Sequence, residues 1–274
     1  MKNLFTTLIF SLITSYAYAQ IDIIHPPNWW VGFETQNLQL LVKGNNISEY
    51  EVGIEYPGVD IKNIHKADSP NYLFIDLQIS NSTLPGTFKI EFIKGQKKLT
   101  HNYKIENRRN LSQQNEGFDS SDVIYLITPD RFANGDYSND IIKGLKENKI
   151  DRKDNYARHG GDIIGVTQNM DYIKEMGFTS IWLNPVLIND MKEGSYHGYA
   201  TTDYYTPDPR FGSMDDYLEF SEKASQNGIK LIKDIIVNHC GLYHWWMDDL
   251  PFNDWLNFQE IYLKSNDETI EKNT

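Results

Sequence analysis

The chain has 274 residues, 40% of them hydrophobic and 13% aromatic, with a formal net charge of −12. That balance excludes a disordered chain, allows one large core or two smaller ones, and makes nucleic acid and anionic membrane poor partners because both repel an acidic surface. Cys240 is the single cysteine, which excludes an intramolecular disulfide, and 17 Tyr and 6 Trp supply flat neutral faces suited to core packing or to sugar rings.

The first nineteen residues carry a basic Lys2, an apolar stretch from Leu4 to Ile13, and Ala17-Tyr18-Ala19 ahead of Gln20. This is the pattern of a secretory signal with a small-residue cleavage site, too short to span a bilayer stably; a buried first strand or helix is the alternative. An exported protein is therefore expected, periplasmic in the first instance and otherwise secreted. No cysteine follows the cleavage site, so a lipid anchor is not supported.

Residues 20–107 read as a small all-β domain. Short runs such as "LQLLVKG", "NYLFIDLQIS" and "GTFKIEFIKG" alternate or are rich in β-formers and are divided by turn residues, the pattern of an immunoglobulin-like sandwich. In "HPPNWWVGF" an extended backbone would point Trp29 and Trp30 to opposite faces. Residues 108–121 are polar with Gly and Ser and read as a linker.

From residue 122 the periodicity changes. "DVIYLIT" (122–128), "FTSIWLNPV" (178–186) and "IKLIKDIIVN" (229–238) read as buried strands. Between them "VTQNMDYIKEMG" (166–177) reads as a helix stopped by Gly177. "SMDDYLEFSEKASQNG" (213–228) reads as another, opened by Ser213 and Asp216 as a capping box and closed by Gly228. Strands alternating with helices specify a parallel sheet. The third strand carries Asp234 and breaks into Asn238, His239, Cys240 and Gly241. The C-terminal end of a buried parallel strand faces the ligand crevice, which would put this polar cluster at a site; an ordinary polar loop is the alternative. Cys240 reads as small buried packing. Further back, Asn134, Asp136, Asn139 and Asp140 offer hard oxygen side chains within seven residues, the donor type that calcium takes. The spacing is not that of an EF-hand, and a solvated Asx-rich turn is the alternative.

In order along the chain, "YLITPDRFANGD", "GYATTDYYTPDPRFGSMDD" and "DIIVNH" resemble the first strand and loop, the approach to the second helix and the D-x-x-x-N-H signature of the α-amylase family, glycoside hydrolase family 13. With "HWWMDDLPFNDWLN" and the preceding sandwich, the neopullulanase and cyclomaltodextrinase branch is the nearest match. The resemblance implies a multi-domain β plus α/β fold: an N-terminal immunoglobulin-like sandwich, then the first part of a (β/α)8 TIM barrel over 122–239 with strands one to three, and the start of an excursion after strand three over 240–274. It further implies that His239 donates to a sugar hydroxyl beside the scissile bond and that Tyr199 stacks under the same sugar. Asp234, Asn238 and Asp203 would brace the site. It implies a structural calcium in which Asn134, Asp136, Asn139 and Asp140 are joined by the Gly160 carbonyl and by Asp162. The implied partners are an α-glucan and a second copy through the N-terminal domain, with no nucleic acid and no membrane anchor.

The implied activity is retaining hydrolysis of α-1,4 links in starch, maltooligosaccharide, cyclodextrin or pullulan, which needs a nucleophilic carboxylate and a general acid about 5 Å apart. By the resemblance, the nucleophile lies in a G-F-R-x-D stretch, the acid is a Glu ending strand five, and a third carboxylate sits in an H-D pair; none is found, since the one Arg-x-Asp is Arg152-Lys153-Asp154 in a hydrophilic stretch and none of the seven His precedes an Asp. The chain therefore reads as the front of such an enzyme, inactive alone. A non-catalytic glucan-binding protein and a family transglycosylase are the competing readings.

Overall fold

The computed structural model describes residues 20–108 and 117–257. The expected signal over 1–19, the linker residues 109–116 and the closing residues 258–274 lie outside the described residues. The chain divides into two units at Arg108 and Arg109.

The first unit is a sandwich of two four-stranded sheets. One has the order β1 (Ile21–His25), β3 (Asn37–Gly44), β6 (Tyr72–Ile79), β5 (Val59–Lys66); the other β2 (Asn28–Trp30), β8 (Lys97–Glu106), β7 (Gly86–Lys94), β4 (Glu51–Ile54). Period-two patterning selects the inner faces: in β3 Leu38, Leu40 and Val42 are buried while Asn37 and Gln39 are exposed. They pack with Leu73, Ile75 and Leu77 of β6 against Phe88, Ile90 and Phe92 of β7 and Tyr103 and Ile105 of β8. Trp29 packs against this core; its ring lies 5.8 Å from Trp30 and 5.1 Å from Phe33. Both tryptophans are half-buried.

The second unit is a three-stranded parallel sheet, order β11-β10-β9, from β9 (Ile124–Ile127), β10 (Ser180–Leu183) and β11 (Lys230–Lys233). Besides the single turn α1 (Pro129–Phe132), its helices are α2 (Ile163–Gln168), α3 (Met170–Glu175) and α4 (Met214–Gln226). Tyr125, Ile127, Ile181, Leu183 and Leu231 face a core completed by Ile163, Val166, Met170, Ile173, Phe220 and Ala224. On the other face Ile124, Leu126 and Trp182 are 38%, 54% and 37% exposed.

Three sequence expectations change. The third strand, expected over 229–238, ends at Lys233, because its ladder with β10 ends at Leu183 opposite Lys233 and Pro185 beyond it has no N–H to continue one. The strands expected over 122–128 and 178–186 are likewise shorter. The single helix expected over 166–177 is two, α2 and α3, meeting at Asn169, whose Nδ2 donates to the Gly165 carbonyl; α2 also begins earlier, because Asp162 caps it by accepting from the Gly165 N–H. The capping box of α4 is formed as expected by Ser213 and Asp216.

At the N-terminal end of the sheet Asp122 accepts from Lys230 Nζ (2.9 Å), Thr179 Oγ1 (2.8 Å) and the Asp119 N–H (2.8 Å). The Lys230 ammonium, with these donors, holds its carboxyl down at about 2. At the opposite end the long connections are tied by Arg210, fully buried and paired with fully buried Asp208 at 2.6 Å. Removing one partner of a buried pair leaves the other charge without compensation, at a cost of about 3–5 kcal/mol. Arg210→Leu is expected to lower the unfolding free energy of the second unit by about that amount, measured by urea titration; a near-silent substitution would contradict the role given to this pair.

Candidate functional site

The polar residues after β11 meet those of the 195–206 segment. Asp234, one residue past the strand, accepts at a single oxygen, Oδ2, from two neutral donors: the Trp182 indole N–H (3.1 Å) and the Tyr199 hydroxyl (3.0 Å). Burial and the Asp234 contact both hold the Tyr199 phenol above its ordinary pKa. Its ring, 38% exposed, lies 5.9 Å from the His197 ring at 26°. His197 Nδ1 accepts the Tyr199 N–H (2.9 Å), so in the neutral ring the proton sits on Nε2; burial, partly offset by Glu147, pushes this imidazole below its usual range.

His239 Nε2 lies 3.0 Å from the Tyr199 carbonyl. A carbonyl only accepts, so Nε2 carries the hydrogen, and Nδ1 faces the Asn238 amide at 3.3 Å. Both ring nitrogens thus already have protein partners. The Tyr204 hydroxyl donates to the His239 carbonyl at 2.6 Å and fixes the backbone there. Burial pushes the Tyr204 phenol up to about 12, helped by neighbouring Cys240, and raises the Cys240 thiol as well.

Of the expected sugar-site residues, Tyr199, Asp234, Asn238 and His239 come together. Asp203 instead serves its own turn, accepting from the Tyr205 N–H (2.8 Å) and the Thr206 hydroxyl (3.0 Å). Sequence reasoning missed Trp182, His197 and Tyr204. The available signal for Trp182 was an aromatic residue on the strand face opposite Ile181 and Leu183, near the strand's C-terminal end.

The expected metal residues fall on the loop after α1. Asn134 Nδ2 donates to Asp140 Oδ1 (2.7 Å), while Asn134 Oδ1 and Asn139 Oδ1 are buried without a protein partner. Asp136 accepts from Ser138, which holds its carboxyl below the usual value. Asp162 is engaged by the backbone, taking the N–H groups of Gly135, Asp136 and Gly165. Among the described residues no three carboxylate, imidazole or thiolate side chains gather as a metal cluster. An ion here would rest mainly on amide and carbonyl oxygens around Asp140, with Asp162 shaping the loop.

A sandwich followed by a parallel βα sheet, with an aromatic, carboxylate and imidazole cluster at the strand ends, defines a multi-domain β plus α/β protein with its polar cluster where parallel α/β folds place their sites. Comparison with family models narrows the class. Residues 23–109 match "Cyclomaltodextrinase, N-terminal" and residues 126–272 match "Alpha amylase, catalytic domain". The chain belongs to the alpha-amylase family. It is 44% identical over 122 residues to a beta/alpha-amylase of Paenibacillus polymyxa, covering 44% of this chain and 10% of that protein. To a cyclomaltodextrinase of Thermoanaerobacter pseudethanolicus it is 36% identical over 151 residues, covering 53% and 25%. To neopullulanase 2 of Thermoactinomyces vulgaris it is 38% identical over 119 residues, covering 43% and 20%. The chain spans a quarter or less of the length of these relatives.

Gly160 packs directly against this loop. Its φ is +86°, and a Cβ there would come within 2.6 Å of Asp140 Oδ1 and 2.9 Å of Asn134 Nδ2. Gly160→Ala is expected to destabilise the second unit by about 1–3 kcal/mol through backbone strain, read as a lowered Tm; an unchanged Tm would show that the loop has room to give.

Proposed function

We propose that this chain forms the sugar-binding end of an exported α-glucan hydrolase that cleaves α-1,4 links with retention. The observation that carries the reading is Tyr199: an exposed ring whose edge is fixed by Asp234 and which adjoins His239. A flat apolar face with fixed orientation, bordered by hydrogen-bonding groups, suits a pyranose ring. His239 would have to leave the Tyr199 carbonyl to donate to a sugar hydroxyl, so the imidazole serves as backbone support before ligand arrives and as a ligand donor afterwards. The relatives named cyclomaltodextrinase and neopullulanase point to maltooligosaccharide, cyclodextrin or pullulan as the substrate class. Export rests on the signal-like first nineteen residues; among the described residues no helix is long and apolar enough to cross a membrane. Retaining chemistry would require a nucleophile and an acid about 5 Å apart, for which the sequence offers no matching motif, so the chain alone should bind glucan without cleaving it.

Isothermal titration with maltoheptaose tests this. Binding by the chain, weakened about tenfold or more in Tyr199→Ala through lost stacking, is the expected result. Absence of binding by a folded wild-type chain would overturn the sugar site. Release of reducing sugar above a His239→Ala control would overturn the claim that the chain alone does not cleave.

We also propose a structural calcium in the loop after α1. The two buried amide oxygens without partners, Asn134 Oδ1 and Asn139 Oδ1, lie in the same loop as Asp140, whose Oδ1 neighbours Gly160. Asp140, the two amides and the Gly160 carbonyl supply the hard oxygens such an ion takes. When bound, calcium would cross-link the 134–140 loop to the Gly160 turn, a structural role. Calcium should raise the Tm of the wild-type chain and EDTA should remove the increment. Asp140→Ala should abolish the difference; a chelator response that survives the substitution would refute the assignment.

A further inference from the structure

We propose that Trp182 is a positioning residue of the sugar site: its indole N–H takes one side of Asp234 Oδ2 so that the carboxylate, held in place, fixes the orientation of the Tyr199 ring. This rests on the reading of Tyr199 as the sugar platform and deepens it with a residue that does not itself stack on the ligand.

The geometry is specific. Trp182 Nε1 and the Tyr199 hydroxyl converge on the same oxygen at 3.1 and 3.0 Å. Asp234 lies just past the last ladder pair of β11, where no strand pairing holds it, so its χ angles are set by side-chain partners. Trp182, in contrast, lies inside β10 with neighbours on both sides, paired to Leu126 and Ile232. Its backbone is anchored from both edges and its indole is a donor with no acceptor capacity. The rigid strand thus transmits its position through one N–H to a carboxylate, and from there through one O–H to a ring otherwise carried by the loop between Gly198 and Ala200. The other end of Tyr199 is fixed from the loop side, by the His197 bond to its N–H and the His239 bond to its carbonyl. With the phenol edge also tied, the ring's tilt is determined by three elements rather than by its own rotamer preference. A stacking platform needs this, because stacking depends on the tilt of the face presented to the sugar. Asp234 is half-buried, and its two charge-assisted hydrogen bonds replace lost water.

The test uses the full chain labelled at tyrosine Cζ, with the Tyr199 signal assigned by Tyr199→Phe. Trp182→Phe keeps a flat apolar ring and deletes only the N–H. With one donor gone, Asp234 Oδ2 accepts more strongly from the phenol, so the Tyr199 titration midpoint should move up; in Asp234→Asn it should move down. If Trp182 only fills space, Trp182→Phe leaves the midpoint where it was or, through loosening, lowers it, and either result overturns the proposal. Maltoheptaose affinity should fall about fivefold in Trp182→Phe and about fivefold in Tyr199→Phe, with the double variant no weaker than the weaker single one, since both act through one oxygen. Additive losses would overturn the proposal as well. Should Trp182→Phe fail to fold, Asp234→Asn, which leaves the indole in place, decides it: a Tyr199 midpoint that does not fall shows that Asp234 does not hold the ring. A wild-type chain whose Tyr199 titrates as described but which binds no maltoheptaose would overturn the sugar-site reading on which the proposal rests, and that result is separate from a failure of the Trp182 contact.

Discussion

Arg210 has no exposed surface, and a buried guanidinium must place its N–H groups on acceptors or destabilise the fold. Here Nε and Nη2 take the two oxygens of Asp208 at 2.9 and 2.6 Å, Nη1 takes the Glu147 carbonyl at 3.1 Å, and Nη2 also takes the Asn189 carbonyl at 2.9 Å. Those carbonyls belong to the connection after β9 and the connection after β10. One planar group thereby sets the distance between two long loops that share no strand pairing, and Asp208 Oδ2 adds a bond from the Asn189 N–H. The fork geometry matters, since a lysine could offer a charge there but not two parallel bonds to one carboxylate while reaching both carbonyls.

The sugar-site candidates depend on this arrangement at one remove. Glu147, whose carbonyl Arg210 holds, uses its carboxylate to accept the Ser195 N–H at 2.7 Å, and Asn189, held likewise, donates from Nδ2 to the Ser195 carbonyl at 3.1 Å. Ser195 begins the turn that continues through His197 to Tyr199. The path therefore runs from a buried ion pair, through a backbone unit gripped on both its N–H and its carbonyl, to the ring that presents a face to solvent. Arg158, also buried, is held differently: its Nε and Nη2 have no hydrogen-bond acceptor, and its guanidinium lies over the Phe211 ring at 4.8 Å and within 3.7 Å of Asp130. Burial and the neighbouring Arg210 lower its pKa from the usual value, the two cations being kept close by the carboxylates between them.

What was legible in the sequence follows from what is local. The capping box at Ser213 and Asp216 is a contact three residues apart and could be read directly; so could the alternation of Leu38, Leu40 and Val42, because one face of a strand is written into every second residue. The end of β11 was not legible from its own residues. "IKLIKDIIVN" is apolar enough to continue, and what stops it is the loss of its neighbour at Leu183 and Pro185, some fifty residues earlier. Asp162 enters the sequence reading only through a resemblance, and its bonds to the Gly135, Asp136 and Gly165 N–H groups are a matter of two loops meeting, which spacing alone does not encode. Trp182 was hidden for the same reason: its alternation marks the face it occupies, but its partner Asp234 lies on another strand's extension. Asp203 is the converse case, a position carried over from a motif whose side chain braces its own turn through the Tyr205 N–H and the Thr206 hydroxyl.

The electrostatics of the site fit a neutral ligand. With a net charge of −12, the chain has a field that would repel anionic substrates and attract cationic ones, but a polyol feels little of it. Recognition then has to come from contact, and contact is sensitive to placement in a way that long-range attraction is not. This gives a physical reason for the one carboxylate of the cluster, Asp234, to be spent on an indole and a phenol rather than left open to water. An unpaired carboxylate beside Tyr199 would compete for the sugar's hydroxyls in any orientation, whereas one occupied by two neutral donors at a single oxygen leaves its other oxygen with a fixed direction. The charge is thereby converted from a general attractor into a rigid strut, and the direction it fixes is that of the Tyr199 ring, the face proposed to carry the sugar.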